Sequence, residues 1–132
     1  MKGAADCTRF QEKVNELLVR HRSVLDVLSK FQESNARVNR AIAKSVTNCG
    51  CLNIDASRQP IPSDASFEEI RDYTETHIQG ELCDSCRQIV ETELGNNLFY
   101  LVSLCNLLSL DMNTVIDREY QKVMALGKFN LS

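Results

Sequence analysis

Val90-Glu91-Thr92-Glu93-Leu94-Gly95-Asn96-Asn97-Leu98-Phe99-Tyr100-Leu101-Val102-Ser103-Leu104-Cys105-Asn106-Leu107-Leu108 is the stretch on which the fold turns. Val90, Leu94, Leu98, Leu101, Cys105 and Leu108 recur at steps of four or three, the spacing of one face of an α-helix. The spacing predicts a long helix beginning around Cys83. Its second half is apolar nearly all round, because Phe99, Tyr100, Val102, Leu104 and Leu107 fall on the other faces. Such a helix is either central in its own domain or shared with a second subunit. Gly95, Asn96, Asn97, Ser103, Asn106 and Ser109 put too many polar groups into the run from Leu94 to Leu110 for a membrane span.

Working outward, Phe10, Val14, Leu17, His21, Leu25 and Leu28 predict a first helix from about Asp6 to Ser29, with His21 a core histidine on its stripe. Phe31, Val38, Ala41, Ile42 and Ser45 predict a second, ending near Thr47 before Asn48, Cys49 and Gly50. From Cys49 to Ser66 there is no helical period, and Pro60, Pro62, Asp55, Ser57 and Ser63 are turn formers. Ser66 and Glu69 have capping-box spacing, which predicts a short helix from Phe67 to about Thr76. A last helix is expected from about Asn113 to Leu126, stopped by Gly127. The fold class is therefore all-α: a single domain over 1–132, a bundle of four to five helices with a tethered loop insertion at about 48–86.

At 132 residues the chain is long enough to bury a core without crosslinks, so a metal would add to that core. Charged residues make up 25% and apolar residues 43%, which excludes a disordered chain. The net charge of −3 supplies no long-range attraction for nucleic acid. Few basic residues lie near the cysteines, Arg58 and Lys44 among them, and no aromatic lies among them, so nucleic-acid binding is not expected. Met1 to Asp6 holds one lysine and no apolar segment, which is unlike a secretory signal, so the chain is expected in the cytoplasm, without a membrane partner.

Four of the six cysteines form two close pairs, Cys49-Gly50-Cys51 and Cys83-Asp84-Ser85-Cys86, separated by 31 residues. Each pair delivers two sulfurs from one short backbone segment, and two such pairs meet the needs of a tetrahedral four-thiolate zinc site. Gly50 allows a sharp turn between neighbouring thiols. The helix start at Cys83 to Cys86 offers free N–H groups and a dipole that favour thiolate charge. Structural zinc is the preferred assignment in a reducing compartment, with disulfides, an iron–sulfur or redox role and unligated thiols as the alternatives. Four thiolates fill the coordination shell, so the ion would staple the 49–66 loop to the long helix and leave no position for chemistry. His77 is a possible replacement for one cysteine, Cys105 is expected to be a core thiol, and Cys7 lies near a terminus expected to fray.

Glu93-Leu94-Gly95-Asn96-Asn97-Leu98-Phe99 resembles the Glu-Leu-Gly-Asp-x-Leu-Phe motif of the MazG-like all-α nucleotide pyrophosphohydrolases. Lys30-Phe31-Gln32-Glu33-Ser34-Asn35-Ala36-Arg37-Val38 with Ala41-Ile42 is similar to that family's preceding helix, where Glu-x-x-Glu is expected. The chain also resembles a group of short bacterial proteins that share the Cys-Gly-Cys and Cys-x-x-Cys pairs, which brings no known activity. In the MazG-like family, four carboxylates on two facing helices hold magnesium ions that bind nucleotide phosphates and activate water. The resemblance puts those positions at Ser34, Arg37, Glu93 and Asn96, of which only Glu93 is a carboxylate. Arg37 would place a fixed positive charge where a metal ligand is needed, so the resemblance implies a relative that has lost the reaction. If the two helices face each other, Arg37 could pair with Glu93; the alternative is that Arg37 is a solvated residue and Glu93 a surface residue in the first turns of its helix.

Two functions follow as expectations. The first is a zinc-stapled, non-catalytic MazG-like domain acting through self-association, most simply as a dimer, or through a protein partner. The second is a magnesium-dependent nucleoside triphosphate pyrophosphohydrolase whose ligands have shifted, for instance to Glu33, Glu91, Glu93 and Asp117. No nucleophile and base stand out as a pair.

Overall fold

In the computed structural model, which describes residues 6–18 and 22–129, the chain folds into five helices and one small two-stranded sheet. Helix α1, Cys7–Leu17, starts where the Asp6 side chain accepts the Arg9 N–H at 2.8 Å. Helix α2, Val24–Lys44, starts at Ser23, whose side chain accepts from the Leu25 N–H. The expected single helix from 6 to 29 is thus two helices, and the second expected helix begins earlier, at Val24. His21 lies outside the described residues. The break follows from Ser23 and Asp26, a cap with an acidic residue at the third position, in front of an apolar run. The apolar stripe disguised it, because its period carries straight across the junction. Val14, Leu18 and Val27 are the buried positions, while Leu25 on the expected stripe is 70% exposed.

The last turn of α2 widens into one π-helical turn over Ser45–Cys49. Gly50 closes it in the left-handed region at φ 81°, its N–H reaching the Ser45 carbonyl at 2.9 Å. Strand β1, Leu52–Ile54, follows, and after a turn-rich segment comes the short helix α3, Phe67–Ile70, with both bonds of the expected capping box present. It continues only as a 3-10 turn over Arg71–Tyr73, stopping short of Thr76. Strand β2, Ile78–Gly80, pairs antiparallel with β1, with Leu52 opposite Gly80 and Ile54 opposite Ile78.

Helix α4, Asp84–Leu107, is the long helix expected from the stripe. It lies antiparallel to α2 along most of its length: Ser34 meets Asn97 and Arg37 meets Glu93. Helix α1 covers the second half of α4, where Val14, Val102, Cys105 and Met112 form the core with Cys7, Phe10, Phe99 and Leu101 packed around them. Cys7 is therefore the first residue of a helix that packs on the core, not a frayed end. Gln11 fastens the turn after α4: its amide donates to the Asn106 side chain and the Leu110 carbonyl, and its oxygen accepts the Met112 N–H at 2.8 Å. Helix α5, Met112–Phe129, then leaves at a 107° bend from α4. It runs through Gly127, which was expected to stop it; a single glycine costs about 1 kcal/mol relative to alanine and does not by itself end a helix. No single described helix is long and apolar enough to cross a membrane.

Candidate metal centre

The C-terminus of α2 and the N-terminus of α4 come together at one end of the antiparallel pair, and each carries one cysteine pair there. Cys49 ends the π turn and Cys51 follows Gly50, while Cys83 is the N-cap of α4 and Cys86 lies in its first turn. The strand pairing closes the other side, since Gly80 at φ 86° sits directly against the Cys51 backbone where no side chain would fit. The result is that Cys49, Cys51, Cys83 and Cys86 have their sulfur atoms all within 4.8 Å of one another. The Cys49 and Cys83 sulfurs are 3.8 Å apart. Four thiolates each about 2.3 Å from one zinc ion stand about 3.8 Å apart along the edges of a tetrahedron, so the Cys49–Cys83 separation matches one such edge and the group is compact enough to hold a single ion. All six cysteines are free thiols.

The electrostatics of the group are compatible with a cation at its centre. The Cys86 backbone N–H donates to the Cys83 sulfur at 3.4 Å, and this bond, followed by one from the Cys86 thiol, brings the Cys83 thiol down to about 7. Cys86 is pushed up to about 12, first because its thiol donates to Cys83 and then by burial. At Cys49 the Cys51 backbone N–H pulls downward, but the neighbouring Cys83 and Cys51 thiols and burial raise it overall. Sulfur atoms this close cannot all be thiolates without a cation among them. His77 is not in the group. It stands just before β2 at φ 64°, its carbonyl accepting the Asp55 N–H, and its Nε2 is buried without a hydrogen-bond partner. Cys105 is a buried core thiol against the Met112 sulfur, and burial raises it.

A second constellation lies midway along α2 and α4, at the positions matched by the resemblance. Arg37 donates through Nε and Nη2 to the two carboxylate oxygens of Glu93, both at 3.0 Å, in a fork-to-fork pair. The Glu93 side chain is only 13% exposed against 58% for Arg37, so the guanidinium roofs a carboxylate held between the helices. Arg37 holds that carboxyl below the usual range. Ser34 is buried, donates to the Phe31 carbonyl and accepts from Asn97, which also bonds Asn35. Asn96 faces a cleft of about 210 Å³ beside Lys30, Glu33, Ser34, Arg37 and Tyr100. Sequence reasoning missed Asn97, the interhelical bridge; its polarity in an apolar stretch was the available signal.

Ser34, Arg37, Glu93 and Asn96 are thus brought to one place. Glu33, Glu91, Glu93 and Asp117 are not gathered as ligands: Glu33 pairs with Lys30, Glu93 with Arg37, and Asp117 lies on α5. Among the described residues the cysteines are the one metal-compatible group of His, Cys, Asp and Glu. Compared with known protein families, with curated proteins and with solved structures, the chain matches none. The functional argument rests on these two constellations.

Proposed function

We propose that this chain is a zinc-stapled, non-catalytic helical domain, related to the MazG-like pyrophosphohydrolases but without their reaction, that acts by associating with a second copy of itself. The observation that carries the non-catalytic part is the Arg37–Glu93 fork. Both oxygens of the one carboxylate kept at the family's metal positions accept from a guanidinium, which cannot lose its proton near neutral pH. A magnesium ion approaching Glu93 would have to displace a bidentate cation and then find only Ser34 and Asn96 as neutral oxygen donors.

Zinc is supported by the sulfur geometry and by the position of the cysteines. Bound there, the ion would supply structural cross-linking alone, with Cys49 and Cys51 tying the end of α2 and Cys83 and Cys86 tying the start of α4. Self-association is supported by surface area. The chain presents 10197 Å² to solvent, whereas a compact monomer of 14.9 kDa presents about 7,000 Å². Leu94, Leu98 and Leu108, half of the stripe that defines α4, are exposed on the protomer.

The test is incubation of the purified protein with magnesium and a panel of common and damaged nucleoside triphosphates, with pyrophosphate as the readout. No release is expected. Turnover that is magnesium-dependent and lost in Glu93→Gln would establish the hydrolase with shifted ligands instead.

A further inference from the structure

Helix α5 carries an unusual load of uncovered apolar surface. Every described side chain after Met112, from Asn113 to Gly127, is exposed. On a helical period Ile116, Tyr120, Val123 and Met124 continue the face that Met112 begins in the core. Tyr120 is 57% and Met124 54% exposed. The stripe therefore starts inside the protomer and runs out of it. Helices in proteins draw most of their stability from a packed apolar face, not from helix propensity. The first turn makes matters worse, because Asn113, Thr114, Val115 and Ile116 are all weak helix formers.

We infer that α5 of one chain packs antiparallel on α5 of a second copy, about a two-fold axis near Tyr120. The occupant is a second copy for two reasons. The surplus of exposed surface, about 3,000 Å² per chain over a compact monomer, is more than enough to supply one chain's share of an obligate dimer, about 1,000–2,500 Å² out of about 2,000–5,000 Å² in total. The charges beside the stripe are also self-complementary. Glu119 and Lys122 lie on the same edge of the apolar face and pair within the helix at 3.5 Å. In an antiparallel pair like edges meet, so Glu119 of one chain comes opposite Lys122 of the other. The inference rests on the self-association reading above and gives it a location.

The test is light scattering of the full zinc-loaded chain at micromolar concentration, wild type beside Val123→Glu, with metal content measured on both. The wild type is expected as a dimer and Val123→Glu as a monomer that keeps its zinc. A second measurement does not depend on the variant: on dilution, helical ellipticity of the wild type should fall together with its mass, because α5 loses its cover. A wild-type monomer overturns both the location and self-association, as does a monomer that instead floats with anionic phospholipid vesicles. A dimer unchanged by Val123→Glu, or one that dissociates at constant helicity, overturns the α5 interface and leaves self-association standing.

Discussion

Replacing Cys83 and Cys86 together by serine removes one arm of the candidate metal centre with little other damage. Cys83 is the N-cap of α4, its sulfur accepting the Cys86 N–H, and serine is among the best residues at that position. The helix start is therefore kept or improved, and the loss reports the metal. The 31 residues between Cys51 and Cys83 have few packing contacts of their own: only Leu52 at one end is buried. Closing a loop of that size with a permanent cross-link stabilises the fold by about 4 kcal/mol on the chain-entropy relation. For a chain of 132 residues the entropy of unfolding is about 0.28 kcal/mol/K, so Tm should fall by about 14 °C. The assay is calorimetry of the wild type, the wild type with excess chelator, and the double variant. Chelator should lower the wild type to the variant's value and leave the variant unmoved. A double variant melting within about 3 °C of the wild type, below the shift of one kcal/mol at this size, would show that the cysteines do not bear on stability.

Two further outcomes follow from the same geometry. Gly80→Ala forces a side chain into the Cys51 carbonyl at a left-handed backbone position. It should cost about 1–3 kcal/mol and weaken zinc binding about ten-fold or more, as read by competition with a chromophoric chelator; unchanged affinity would mean that the strand pairing does not position Cys51. Glu93→Gln tests the Arg37 pair through pH. Because Arg37 lowers the Glu93 carboxyl in the folded state, the pair stabilises above the unfolded carboxyl value, near about 4.3, and its contribution fades as pH falls through the folded value. The stability gap between wild type and Glu93→Gln in urea should be flat from neutral pH to about pH 5 and close below about pH 4. A gap that stays constant into acid would remove the ion pair as its cause.

Features set by local chemistry were legible in the sequence. The cysteine spacing, the turn at Gly50, the capping box at Ser66 and Glu69 and the long stripe of α4 all appear where expected, since each depends on neighbours within a few residues. The approach of Arg37 to Glu93 could be anticipated because opposite charges stood at matched positions on two helices. Long-range or competing effects were not legible. Leu52–Ile54 and Ile78–Gly80 are too short to show alternation, and their pairing joins segments far apart in the sequence, which the two cysteine pairs flank. A continuous apolar period hid the break before Ser23, and Gly127 lies within α5 although glycine is a common helix stop. Periodicity marks an apolar face without saying what covers it, which is why Leu94 and Leu98 lie on the stripe that defines α4 and yet at the surface of the protomer.

The central claim, that Cys49, Cys51, Cys83 and Cys86 hold one structural zinc ion, is tested most directly by elemental analysis of protein purified without chelator. The account predicts one zinc per chain, no iron, and none of either in Cys83→Ser/Cys86→Ser. Iron with visible absorbance, or a metal-free chain whose four thiols are tied up as disulfides, would contradict it.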